Sequence, residues 1–413
     1  MKKNLNQLFV YPKDWVSGEA DEIAKSVRQW ATKEVVSRRL EFLEAFETLF
    51  PRVRTRLALD IGCQGLMFPA DSGGLGLNPE TSATALIMIL KEVGRADAGI
   101  GFIHAMEYAL CALIATSSSR QSAVYEQLAP LFCRDQLNTA TLILPSCAPS
   151  GEVLPLFAGR PIRASLNGAN NSHTVSGRAL RPLDLGKDAA VFAAVCADTD
   201  EQPGVAIVMG NAKGITREES LRKTGLEGCT NADVTFQSAP VFPECWIAGD
   251  AAVCSLYAWT NLFLGAVSIG AAMGCMEVAD QWATERVIKG GCRLKDNPLC
   301  AAVLAEAYEE TAVSWTLLHH LAHFLSNPGQ WGAAGSAAMF TQAQMTGRRV
   351  QAGAMLAVNK MMELMASEGY AREGRMEKAW RDIKTIQSAL CGAGADAPVR
   401  LDVARHVFDS RPQ

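Results

Sequence analysis

Residues able to do chemistry are thinly spread through these 413 positions. His319, His320 and His323 come closest together, and the i, i+4 spacing of His319 and His323 would put two imidazoles on one helix face. A bound metal normally needs three or four ligands. No third follows within a turn, and Leu317 to His323 otherwise reads as core, so no metal site is expected. Cys391 precedes Gly392 and offers a thiol, but a nucleophilic thiol needs a base and no histidine is near in sequence. A small buried residue is the better reading. Asp396, two residues before Pro398, is an isolated carboxylate of the kind that caps helices and turns. The glycine-rich stretch Pro69 to Gly76 runs into Leu77-Asn78-Pro79, without the lysine and hydroxyl residue a phosphate loop requires, so it reads as a plain loop. Asn170-Asn171-Ser172 is a glycosylation sequon, which carries meaning only in a secreted chain.

Bulk properties narrow the classes further. Net charge is 39 − 43 = −4, which gives no electrostatic case for nucleic acid or an anionic membrane. The 12 cysteines include no Cys-x-x-Cys pair, against both a zinc ribbon and a disulfide framework. Met1 to Asn6 starts basic with no apolar run behind it, so no signal peptide is expected and a reducing cytoplasm is the expected home. Ala251 to Met276 holds no charge and is long enough to span a bilayer. Its Ser255, Asn261 and Ser268 and its many small residues favour instead the central helix of a bundle.

The elements that must position any site fall into three segments, 1–135, 136–249 and 250–413. In the first, Ile23, Val27, Trp30, Ala31 and Val35 share a helix face, Pro51 reads as the first residue of a helix, and helical spacing returns over 81–93 and 105–115. In the second, short β-rich runs over 139–144, 173–175, 189–196, 205–208 and 232–236 are punctuated by Gly, Pro, Asn and Asp, predicting a small antiparallel barrel or sandwich. In the third, long Ala-, Met- and Glu-rich helices break near Gly290, Pro328 and Gly374.

That order resembles the acyl-CoA dehydrogenase superfamily, and several stretches carry the resemblance. They are Leu59 to Pro69 followed by Gly73-Gly74-Leu75-Gly76-Leu77; Leu90 to Ala98; Lys223-Thr224-Gly225-Leu226 running to Val234-Thr235-Phe236 and Val241-Phe242-Pro243; Ala283-Thr284-Glu285-Arg286; and Gly369-Tyr370 with Glu377-Lys378 and Arg381-Asp382. The resemblance covers roughly residues 20–408. It implies an α+β fold with an N-terminal helical domain, a middle antiparallel β domain and a C-terminal four-helix bundle. It also implies FAD as cofactor, an acyl-CoA as substrate and an electron-transfer flavoprotein as the usual electron acceptor.

The family's chemistry needs a carboxylate against Cα, donors to the thioester oxygen and flavin N5, and a cation for the flavin diphosphate. Here the resemblance finds departures. The usual catalytic Glu position is Ala393, with Asp396 as a remote substitute; the alternative base position on the first bundle helix is Thr260. The Asp-x-x-Arg that grips substrate reads Ala258-Trp259-Thr260-Asn261. The strand that stacks on the flavin reads Ala179-Leu180-Arg181-Pro182-Leu183, and the loop preceding it keeps only Pro145. The family's Phe after the helix-end Arg is Lys289, and its Gln-x-x-Gly-Gly turn is Glu363 to Ser367. Arg286 survives, placed for a diphosphate or simply for the helix dipole. Three readings follow: a non-catalytic or half-site subunit that needs a homologous dehydrogenase partner and shares its FAD, a homomeric flavoenzyme with a relocated acid, or a structural paralogue.

Overall fold

The computed structural model describes residues 18–117, 121–144, 162–167, 172–179, 186–198, 200, 202–374, 376–391, 400, 403–404 and 406–407. Local signals set the first helices. Asn78 accepts from the Glu80 N–H and starts α4 with Pro79 in its first turn. Asp97 then ends one helix and caps the next, accepting from the N–H groups of Gly99 and Ile100. In order the helical domain comprises α1 (Gly18–Trp30), α2 (Arg39–Glu44), α3 (Phe46–Thr55), α4 (Pro79–Ala96), α5 (Ala98–Thr116) and α6 (Gln121–Phe132). α1 buries Ala20, Ala24, Val27 and Trp30; of the predicted stripe Val27 and Trp30 are buried in α1, Ile23 is half-buried, and Ala31 and Val35 are buried in the π-helical turn that follows. Pro51 is a correction: it lies inside α3, which begins at Phe46. Phe46 packs on Phe42 and Phe50 with ring centroids at 5.5 and 5.0 Å, and that aromatic row holds the turn ahead of the proline.

Among the described residues eight strands form one sheet: β1 (Ala140–Ile143), β2 (Arg163–Asn167), β3 (Ser172–Ala179), β4 (Val191–Ala197), β5 (Pro203–Met209), β6 (Ile215–Arg217), β7 (Val234–Val241) and β8 (Trp246–Ala248). The path is β6-β7-β3-β2-β4-β5-β8, with β1 on β4. Most pairings are antiparallel, while β1 and β2 both run parallel to β4. The sheet curls, bringing His173 of β3 onto Trp246 of β8 at 4.9 Å between ring centroids.

The third unit is α7 (Asp250–Glu285), α8 (Pro298–Leu325), the short α9 (Pro328–Trp331), α10 (Ala337–Met365) and α11 (Met376–Cys391). From Ala252 to Met276 α7 has no polar face because almost none of it meets solvent, packed as it is against α4, α5, α8 and α10; beyond that, Asp280, Gln281 and Glu285 are exposed. Glycines let these backbones close in; a Cβ on Gly270 would lie 2.0 Å from the Lys91 carbonyl oxygen of α4. α5 and α7 are both long and apolar enough to cross a membrane by length and composition, but 94% and 89% of their apolar windows are buried inside the protein. The helical domain, the sheet and the helical bundle are the architecture read from the sequence, with two parallel pairings added.

Candidate active site

The middle of α7 is where the resemblance places substrate contacts, and the packing there is closed. Thr260 is fully buried and its hydroxyl donates to the Leu256 carbonyl at 2.7 Å. Asn261, buried, donates from Nδ2 to the Tyr257 carbonyl at 2.9 Å and to Gln344 Oε1 of α10 at 2.8 Å. α10 approaches so closely that a Cβ on Gly347 would sit 2.0 Å from Asn261 Oδ1. An arginine at position 261 has no room there. Two turns on, Ser268 donates to Gln351 Oε1 at 2.8 Å, and Gln351 donates to the Leu264 carbonyl. These donors are spent on helix packing, and the Asn261 Oδ1 oxygen, though buried against Gly347, has no hydrogen-bond partner among the described residues.

Arg286 has the opposite setting. It is the exposed residue that ends α7; its N–H donates to the Trp282 carbonyl at 2.8 Å, and its own carbonyl accepts from the Leu294 N–H at 2.8 Å. Its guanidinium lies 6.0 Å from the Trp282 ring. The chain then makes a hairpin in which Val287 bridges Arg293 around Gly290 and Gly291, whose φ values of 97° and 80° suit glycine. Lys289 is exposed on the same hairpin. Arg286 therefore combines a helix-end position with a guanidinium free to face another molecule.

At the far end of α10 the Gln-x-x-Gly-Gly counterpart keeps the backbone path without the glycine. Ala366 adopts φ 53°, ψ −130°, with Glu363 and Ser367 exposed beside it. α11 is held more firmly. Lys378 reaches Asp97 at 2.9 Å and Asp382 at 2.6 Å, and Asp382 accepts from the Leu226 N–H at 2.6 Å. Burial raises the Asp382 carboxyl, with Lys378 pulling it down. Arg381 adds bonds to the Thr224 carbonyl and to Glu227 and Glu377. α11 thus ties the helical domain and the 224–227 loop together immediately before residues 392–399. Ala393, Asp396, Pro145 and Arg181 to Leu183 lie outside the described residues.

The histidines separate. His319 is buried edge-on against Trp315, ring centroids 4.4 Å apart, while His323 meets Asn327 at the end of α8. Among the described residues no three potential ligands converge. A buried pair on α5 escaped the sequence reading: His104 Nδ1 faces Glu107 Oε2 at 3.6 Å. Burial, then the Arg54 charge, pushes His104 down to about 3, and burial raises Glu107 well above its usual range, so the fold favours the uncharged form of each. Their helical i, i+3 spacing was visible, but nothing in the sequence says which face is buried.

Comparison with known proteins agrees with this geometry. The acyl-CoA dehydrogenase N-terminal domain matches residues 17–125 and the acyl-CoA dehydrogenase C-terminal domain matches residues 262–390, together more than half of the chain. Cyclohex-1-ene-1-carbonyl-CoA dehydrogenase of Geobacter metallireducens is 23% identical over 378 residues, covering 87% of this chain and 91% of its own. Butyryl-CoA dehydrogenase of Megasphaera elsdenii superposes with a TM-score of 0.75 at 16% identity, over 95% of this chain and 99% of that one. An acyl-CoA dehydrogenase from Bacillus anthracis, complexed with FAD, gives a TM-score of 0.76 at 18% identity, over 99% of this chain and 69% of that one. The chain belongs to the acyl-CoA dehydrogenase superfamily, the flavin-dependent oxidoreductases that act on the CH–CH bond of acyl-CoA thioesters.

Proposed function

We propose that this chain is the half-site subunit of a heteromeric FAD-dependent acyl-CoA dehydrogenase, working beside a homologue that carries the base. The observation that carries this reading is the contrast between positions 260–261 and 286. Thr260 and Asn261 are consumed in helix packing, whereas Arg286 stands exposed at the end of α7. Loss where a chain would serve its own substrate, with a cation kept at an outward helix end, differs from uniform decay.

FAD, when bound, takes hydride from Cβ of the acyl group. Among the described residues, the chemistry that fits it is a guanidinium for the diphosphate, and Arg286 supplies that. Arg286 would hold the diphosphate of a dinucleotide seated on the partner. The partner is expected to carry Glu where this chain has Ala393 and Trp where it has Arg181, and to pass electrons to an electron-transfer flavoprotein. The similarity to cyclohex-1-ene-1-carbonyl-CoA dehydrogenase supports a bulky or alicyclic acyl-CoA as substrate.

The test is the visible spectrum of the chain purified alone and after co-expression with a homologous dehydrogenase gene. The proposal expects little flavin alone and a mixed, yellow, acyl-CoA-desaturating complex with the partner. Near-stoichiometric FAD and full activity from this chain alone would overturn it.

A further inference from the structure

A cleft of about 610 Å³ opens where the three units meet. The end of α5 supplies Leu113 and Thr116, the start of α7 supplies Ala252 and Ser255, β8 supplies Trp246, and the 333–336 loop closes the side. The loop is fixed against α7, since a Cβ on Gly335 would lie 2.3 Å from the Ala251 carbonyl oxygen. The indole of Trp246 is fixed by its stack on His173. These are rigid walls, and their volume falls in the range of small-molecule sites.

Their chemistry selects a class of ligand. Glu80 is the one charged residue among the described lining residues, and no cation is among them. A phosphate or a free carboxylate finds no cation among those described residues to pair with. Apart from the small and apolar side chains, the cleft offers hydroxyls. Thr116 Oγ1 and Ser255 Oγ lie 3.1 Å apart, and either can donate to the other. Thr116 Oγ1 also lies 3.0 Å from both the Ala112 and Leu113 carbonyls and can donate to either, so the Ser255 proton can turn to an incoming carbonyl or hydroxyl oxygen while Thr116 stays bonded. Ser255 stands five residues before Thr260 on α7, about 7.5 Å along the axis.

We infer that this cleft binds the distal, uncharged part of a ring-bearing acyl group, with Thr116 and Ser255 reading an oxygen on it. The identity of the ligand as an acyl group rests on the acyl-CoA dehydrogenase reading; the preference for a neutral, oxygen-bearing apolar molecule rests on the cleft alone.

Prodan, a neutral naphthyl ketone whose emission shifts to the blue in apolar surroundings, is the test ligand for the full-length chain. Saturable binding with a blue shift is expected, and competition by the N-acetylcysteamine thioester of cyclohexanecarboxylic acid. Ala248→Trp and Ala333→Trp, both at exposed positions on the cleft wall, should each weaken prodan by about tenfold or more by filling the space. Thr116→Val with Ser255→Ala should weaken it about three- to tenfold while keeping the blue shift, because the oxygen contact goes and the apolar walls stay. No saturable binding by the wild type, or unchanged binding in both tryptophan variants with unchanged thermal unfolding, overturns the site. Prodan binding without thioester competition overturns the acyl assignment. Flavin content of the mixed complex is untouched by these outcomes, so the cleft and the half-site reading fail separately.

Discussion

Asn261 of α7 and Gln344 of α10 are joined side chain to side chain at 2.8 Å, and Ser268 and Gln351 repeat the contact seven residues along both helices. Both pairs are buried. A seven-residue repeat of polar contacts within an otherwise apolar seam fixes the register of the two helices. It also engages the Asn261 amide nitrogen, at the position that the resemblance assigns to a substrate arginine. Gln344→Leu should lower stability by about 1–3 kcal/mol, since it strands the Asn261 amide in the core. Asn261→Leu with Gln344→Leu should recover part of that loss. A double-mutant cycle by urea unfolding checks it, and strictly additive losses would contradict the pairing.

Ala366 holds φ 53°, ψ −130°, a region glycine tolerates and alanine does not. Ala366→Gly should raise stability by about 1 kcal/mol or more. Ala366→Val should lower it. Thermal unfolding of the two variants settles the sign, and a destabilised glycine variant would show that the backbone strain is absent.

Stability should fall as pH drops below about 6.5, and buried carboxyls oppose this from the alkaline side. Burial, then Lys91 and His320, pushes His319 down to about 3, matching His104. Unfolded histidines titrate near 6.5. Between about pH 6.5 and 3 the unfolded chain therefore binds more protons, and stability drops as pH falls through that window. Glu107 works in reverse: raised in the fold, it ionises first in the unfolded chain, eroding stability as pH rises above its ordinary 4.5. Asp382, whose carboxyl burial also raises, acts in the same sense as Glu107. Glu92 adds to the acid limb. Burial pushes its carboxyl up, but Lys91, Arg95 and Arg28 outweigh that and hold it at about 2, so its contribution is full above 4.5 and is lost as pH falls toward 2. Urea midpoints from pH 4 to 8 measure this. His104→Leu should flatten the acid limb and Glu107→Gln the alkaline one; a midpoint that climbs steadily on acidification would refute the assignment.

The fold was legible because its signals are local or periodic. Helical spacing announces the helices over 81–93 and 105–115, the charge-free run 251–276 announces a buried central helix, and Gly290-Gly291 announces a turn, whereas the caps Asn78 and Asp97 went unread. Pro51 misled because residue type alone places proline in a first turn, while the aromatic row Phe42, Phe46, Phe50 extends the helix ahead of it. The parallel pairings of β1 and β2 with β4 are non-local, so no strand pattern could give them. At the site, the replaced residues were readable one by one. That Asn261 is bonded to Gln344, 83 residues away, was not, because such contacts belong to the packing of two helices and not to either sequence segment.

The most direct measurement of the half-site account is the flavin content of the mixed complex with wild-type chain and with Arg286→Ala. The guanidinium is exposed and lies over the Trp282 ring, so the isolated variant should unfold at nearly the wild-type temperature. In the complex, removing a charge-assisted contact to a diphosphate weakens FAD binding by about 1.5–3 kcal/mol, roughly ten- to a hundredfold. The account predicts FAD loss from the variant complex on dialysis, with desaturation of the acyl-CoA falling in proportion and restored by added FAD. Equal FAD retention and equal activity in the two complexes would contradict it.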